Sequence, residues 1–325
     1  MKTLFSAAFA AAFALATATG AMAQSTNWDM PTPYPDGNFH TKNIRQFADE
    51  VKAATNGALT ITVHSNGSLL KAPEIKRAVQ TGQVQAGEVL ISSLGNESPL
   101  FAFDSVPGLA TDYASARKLW AAAHDTIVKK LDEQGIVLLY SVAWPPQGIY
   151  AKKELSALAD LKGLKFRSYN PATARFAELI GASPVTIQAA EVAQAFRTGL
   201  VDSMMTSGAT GVDTQAWDYL THYYDLQAFL PQNIVFVSKE AFEALPQEAR
   251  DTVMAAAAKA EERGWAESET LNEGYKKTMA EKGMTVGAAS DTMKKELATI
   301  GETMSGEWAQ KAGADGQAIL DAYRK

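Results

Sequence analysis

Between Trp28 and Ala143 short apolar strands alternate with amphipathic helices, and this alternation is the strongest constraint on the fold. Trp28-Asp-Met30 ends a first strand, and Pro31-Thr-Pro-Tyr-Pro-Asp-Gly37 is a turn-rich loop. Ile44, Phe47, Ala48 and Val51 recur at helical spacing and predict a helix over 39–54, ended near Gly57. Leu59-Thr-Ile-Thr-Val63 alternates strictly and predicts a strand. A short helix over 73–82, a strand over 84–91, a long helix over 113–134 and an apolar strand over 136–143 follow. This order predicts a mostly parallel sheet covered by helices.

Trp144-Pro145-Pro146 breaks the pattern and marks a crossover into a second α/β unit. Strands are predicted over 165–168, 184–187, 201–205 and 223–229, with helices over 172–180, 189–198 and 211–217. The apolar run Pro231 to Val237 is expected to recross to the first unit. From Lys239 on the chain reads as almost all helix, and 247–283 suits a long helix running along both units. The expected organisation is two α/β lobes: 24–144, completed by about 232–260, and 145–231, completed by about 261–325.

The first residues read as an export signal. Lys2 gives a positive start, Leu4 to Ala18 is apolar, and Ala21-Met22-Ala23 is a small-x-small cleavage site. The apolar core is short for a membrane anchor, and no cysteine is available for lipidation. A periplasmic protein cleaved after Ala23 is expected. Losing Lys2 moves the formal net charge from −6 to −7, which argues against nucleic acid or anionic lipid as partners. The absence of cysteine rules out disulfides, thiol catalysis and thiolate metal sites.

Open α/β sheets bind ligands at the carboxyl ends of their strands. Arg167 falls near such an end, just before the turn Tyr169-Asn170-Pro171 that starts a helix. A guanidinium held there matches a carboxylate through two parallel hydrogen bonds. Trp144 and Met205 also fall near strand ends, and Tyr34 lies in the loop after the first strand. His40, at the start of the first helix, is a further candidate for the cleft.

The run Lys162-Gly-Leu-Lys-Phe-Arg-Ser-Tyr-Asn-Pro-Ala-Thr173 resembles the solute-binding proteins of tripartite ATP-independent periplasmic (TRAP) transporters. A second block, Ala190-Glu-Val-Ala-Gln-Ala-Phe-Arg-Thr-Gly-Leu-Val-Asp202, is similar to that family's E-x-x-x-A-L-Q-x-G-x-V-D-G. The resemblance covers essentially the whole chain after the signal. It implies a type II periplasmic-binding-protein fold, with a ligand cleft between two lobes and a long C-terminal helix across both. It implies a receptor that captures an organic acid and closes around it. The acid then passes to a permease of one small and one large membrane subunit, driven by a sodium gradient. It implies no catalysis and no cofactor. Arg167 occupies the position of the family's carboxylate-binding arginine, and Asn170 matches an asparagine of the same turn.

Two departures bear on the ligand. Gln147 stands where many sialic-acid-type relatives carry a second arginine. The family's V-D-G-x-E-N becomes Val201-Asp-Ser-Met-Met-Thr206, so Met205 and Thr206 replace Glu and Asn. Trp144, Tyr169, Met205 and Trp217 would shape an apolar end, while Gln147, Asn170, Thr206 and Asn233 would hydrogen-bond the carboxylate or a neighbouring hydroxyl. An aromatic or short branched monocarboxylate is favoured over sugar acids or C4 dicarboxylates. The four histidines are scattered, no zinc-protease or nucleophile-elbow motif is present, and no metal is expected. The remaining alternatives are a binding protein of another transporter or sensor class, and a periplasmic lyase or hydrolase. A monomer is the default for a receptor that opens and closes.

Overall fold

The computed structural model describes residues 25–325, so the predicted signal and its cleavage site lie outside the described residues. Asn38 caps the first helix by accepting from the His40 amide, which fixes where the chain turns from the proline-rich loop into helix. In chain order the first elements are β1 (Thr26–Pro31), α1 (Phe39–Ala54), β2 (Leu59–His64), α2 (Ala72–Gln80), β3 (Ala86–Leu90), α3 (Tyr113–Asp132) and β4 (Ile136–Ala143). The next are β5 (Gly148–Ala151), β6 (Lys165–Ser168), α4 (Pro171–Leu179), β7 (Ser183–Thr186), α5 (Val192–Arg197), β8 (Ser203–Thr206), α6 (Gly208–Asp213) and β9 (His222–Asp225). The last are β10 (Gln232–Ser238), α7 (Lys239–Glu243), α8 (Gln247–Glu281), β11 (Thr285–Ala288) and α9 (Asp291–Arg324).

The strands sort into two systems. The first holds a parallel pair, β1 and β2, and a three-stranded sheet ordered β3-β10-β4. The second is one six-stranded sheet ordered β11-β9-β5-β8-β6-β7. The expectation of a mostly parallel first sheet needs correction. β10 recrosses as expected, but it inserts antiparallel between β3 and β4. In the second sheet β6 pairs parallel with β7 and β8, whereas β5 pairs antiparallel with β8 and β9. Five expected helices are also shorter than predicted, most of all the one read over 189–198, which is α-helical only from Val192 to Arg197. The one read over 211–217 ends at Asp213 because Gln215 takes a left-handed backbone, φ 53°.

The two passages between the systems run side by side. Trp144 N donates to Pro231 O at 2.8 Å, Gln147 N to Phe229 O at 3.0 Å, and Ala228 N to Gln147 O at 3.0 Å. The 35-residue α8 is about 50 Å long. It packs on α1 and β4 of the first system and on α6 and β11 of the second. Trp265 pins it by donating from Nε1 to Ser141 O of β4 at 2.9 Å. α9 kinks at Gly313, packs on α3, and is tied to α4 by the Arg175–Glu307 pair. Among the described residues no helix is long and apolar enough to cross a membrane.

Candidate functional site

A cavity of about 50 Å³ opens beside the paired crossovers, between the carboxyl ends of strands from both systems. Roughly 10–15 Å³ of such space holds one water, so the cavity has room for about three to five waters. Arg167, Tyr169, Gln147, Trp144, Tyr34 and Thr206 all line it. The sequence had placed these six on separate loops and strand ends.

Arg167 comes from β6, where it pairs with Met204 of β8. Residues paired across strands share a face, and faces alternate along a strand. Arg167, Met204 and Thr206 therefore share one face, and Phe166 and Met205 the other. Arg167 is 3% exposed. Its Nε donates to Ile187 O at 2.9 Å, and it lies 4.8 Å from the Tyr169 ring centre. Among the described residues no carboxylate forms an ion pair with it. Burial lowers its pKa to about 10, so it stays cationic at neutral pH. A buried charge without a counter-ion is strongly disfavoured unless a ligand supplies the opposite charge.

Gln147 is fixed on both sides. Its Nε2 donates to Pro145 O at 2.9 Å, and its Oε1 accepts from Tyr169 OH at 2.9 Å. Tyr34 and Trp144 meet edge to face with ring centres 4.9 Å apart. Thr206 ends β8, and the next residues, Ser207 and Thr210, also line the cavity. The lining holds one cation and two phenols, Tyr34 and Tyr169, both pushed to higher pKa by burial.

Five other expected residues lie elsewhere. Asn170 caps α4, accepting from the Thr173 amide at 2.8 Å, while its Nδ2 donates to Ser92 Oγ at 2.8 Å. Asn233 is buried behind Trp144 and Tyr34. His40 packs against the far face of the same aromatic group, 4.4 Å from Trp144, and burial lowers its pKa well below the ordinary value. Met205 sits in the core with Ile149 and Phe166, because strand alternation turns it away from Arg167. Trp217 packs against the cluster around Phe196 and Met284, outside the cavity lining.

Sequence reading missed Leu90 at the end of β3, Ser93 after it, and Gln188 and Ala189 after β7. All four lie at or just beyond the carboxyl ends of strands, so the carboxyl-end rule was the available signal. It also missed Glu88, 1% exposed, whose charge interrupts an apolar strand.

A wider vestibule of about 260 Å³ adjoins the cavity through Tyr34, Trp144, Ala189 and Thr210. At its edge Asn38 Nδ2, before α1, donates to Asp213 Oδ2, at the end of α6, at 2.6 Å. Among the described residues no cluster of His, Asp or Glu could hold a metal ion.

Solved structures resemble this fold over nearly its whole length, and three of them are 46–55% identical to it. DctP7 of Bordetella pertussis, an extracytoplasmic solute receptor binding pyroglutamic acid, is 55% identical with TM-score 0.92, covering 93% of this chain and 100% of that one. DctP6 of the same organism, also binding pyroglutamic acid, is 49% identical with TM-score 0.91, covering 92% and 99%. A marine-metagenome TRAP solute-binding protein holding co-purified pyroglutamate is 46% identical with TM-score 0.91, covering 93% and 99%. The model of the bacterial extracellular solute-binding proteins, family 7 (DctP), matches residues 32–311. The fold is thus the type II-like α/β fold of TRAP receptors, and the chain belongs to the bacterial extracellular solute-binding proteins of family 7, the solute receptors of TRAP transporters.

Proposed function

We propose that this chain is the periplasmic receptor of a TRAP-type uptake system and captures a compact cyclic monocarboxylate, pyroglutamate or a near analogue. The single observation that carries this reading is Arg167, a buried guanidinium at a small cavity with no carboxylate partner among the described residues. A ligand carboxylate would complete it through two charge-assisted hydrogen bonds. Tyr34, Trp144 and Tyr169 would pack against a ring, and Thr206, Ser207 and Gln188 would meet its polar edge. The lining offers one cation, which favours a monocarboxylate over a dicarboxylate. The three relatives that bind pyroglutamate support the monocarboxylate part of the sequence expectation and favour a small lactam ring over an aromatic one. The cavity lining carries no carboxylate or imidazole to act as a base, which supports capture over turnover. Delivery would follow closure of the two lobes and docking on a permease of small and large membrane subunits, with a sodium gradient driving uptake.

A thermal-unfolding screen of the mature protein tests this reading. A ligand at 100 times its Kd adds about 2.7 kcal/mol. L-Pyroglutamate should raise the midpoint by a few degrees, and glucuronate, sialic acid and succinate should leave it unmoved. A rise with the sugar acids and none with pyroglutamate would discard the ligand assignment.

A further inference from the structure

Two of the three aromatic walls of the cavity, Trp144 and Tyr34, hang from a hydrogen-bond chain that never reaches it. Trp144 Nε1 donates to Asn233 Oδ1 at 2.8 Å, and Tyr34 OH donates to the same oxygen at 3.2 Å. Asn233 Nδ2 donates to Glu88 Oε1 at 2.8 Å. Thr32 Oγ1 donates to Glu88 Oε2 at 2.5 Å, and His40 Nδ1 lies 3.5 Å from Oε1. Thr32, His40, Glu88 and Asn233 are all buried, and none lines the cavity.

The donor and acceptor inventory makes this arrangement directional. An indole N–H only donates, so Trp144 needs an acceptor facing it. A carboxamide has one accepting end and one donating end, and its third partner decides which end faces where. Glu88 offers Nδ2 an accepting oxygen whether or not it is ionised, because its other oxygen can carry a proton toward Thr32. An apolar side chain at 88 would leave Nδ2 buried and unpaired, and the amide would lose its preference for this orientation. Placing a carboxyl group in the buried middle of β3 is unfavourable by itself. The β3–β10 register sets Glu88 opposite Val235, two residues along β10 from Asn233 and on its face of the sheet.

We propose that Glu88 and Asn233 are positioning residues for the ligand cavity: Glu88 orients the Asn233 carboxamide, which fixes the Trp144 indole and the Tyr34 phenol as walls. The cavity's shape, and so its preference for a compact ring acid, is set from behind by two residues that do not touch the ligand. Neither the relatives' ligands nor the arginine anchor requires this. The inference rests on the receptor reading only through the ligand used in one arm of its test.

The first arm needs no ligand. In protein labelled with ¹⁵N-tryptophan, the Trp144 indole signal is assigned by its loss in Trp144→Phe. Asn233→Leu and Glu88→Met should shift that signal and speed its exchange with solvent by about tenfold or more, whereas Glu88→Gln, which keeps an accepting oxygen, should leave it in place. The second arm is a double-mutant cycle read by affinity for L-pyroglutamate. Asn233→Leu should weaken binding by about tenfold in the wild type and less than about threefold in a Tyr34→Phe/Trp144→Phe background. Glu88→Met should behave like Asn233→Leu, and Glu88→Gln like the wild type. An indole signal unmoved by Glu88→Met, or an equal loss from Asn233→Leu in both backgrounds, would overturn the proposal. A wild type that does not bind pyroglutamate would strike the ligand assignment alone, and the indole arm would still decide the positioning role.

Discussion

Arg167 is a charge that the fold buries and leaves for a partner to neutralise. Two parallel bonds from a planar guanidinium cannot be copied by an ammonium. Arg167→Lys should therefore weaken ligand binding by about tenfold or more while leaving the unfolding midpoint of the free protein near wild type. Glu88 makes a second prediction at this scale. Burial raises its pKa from 4.5 to about 7. Between those values the native state keeps a proton that the unfolded chain has released, so this group's contribution to stability falls as pH rises from about 4.5 to 7. The difference in unfolding free energy between wild type and Glu88→Gln should fall by on the order of 3 kcal/mol across that window, read by denaturant titration. Arg167 stood out in the sequence because it lies near the carboxyl end of a short strand, just before a helix-starting turn, in a run that resembles a known family block. Met205 was misplaced because one residue of strand register reverses its face. Asn233 and His40 were found as neighbours of the site, but depth behind Trp144 leaves no mark in a sequence.

Helix α8 shows how two glycines in one element take opposite meanings. A Cβ at Gly264 would lie 2.5 Å from Val142 Cγ2 and 2.7 Å from Asn43 Nδ2, so this glycine lets α8 settle against β4 and α1. Gly274 is exposed and would meet nothing within 4 Å. Gly264→Ala should destabilise by about 1–3 kcal/mol through overpacking. Gly274→Ala should stabilise by about 0.5–1 kcal/mol through helix propensity. Denaturant midpoints of the two variants check both signs. The long elements were legible because a helical period repeats through α1 and an apolar run continues through β4: α1, β4 and the start of α8 match their predicted limits. The strand β5 escaped notice because it closely follows the Trp144-Pro145-Pro146 break, and β11 because Thr-Val-Gly-Ala lies inside a stretch that reads as almost all helix. β5 gains its identity from pairing with β8 and β9, which are far away in sequence.

The whole molecule joins its two strand systems at more than the crossovers. Asn38 meets Asp213 across the vestibule, and Asn170, the cap of α4, reaches Ser92 just after β3 and Ser105. Under the capture reading these contacts favour the closed arrangement, and apparent affinity scales with the closed fraction. Asn38→Ala should weaken binding by about threefold to tenfold without touching the cavity, and should raise the radius of gyration of the free protein in solution scattering. The two-unit plan was legible from the alternation and from the break at Trp144-Pro145-Pro146. The antiparallel insertion of β10 was not, since no local pattern tells a strand which neighbours it will join. The cavity's size was equally hidden, because it depends on how closely the two systems approach. The most direct measurement is a calorimetric titration of L-pyroglutamate into the wild type and into Arg167→Ala. One ligand per chain, with binding at least about thirtyfold weaker in the variant, is the expected result. Binding by the variant within about threefold of wild type would contradict the role assigned to Arg167.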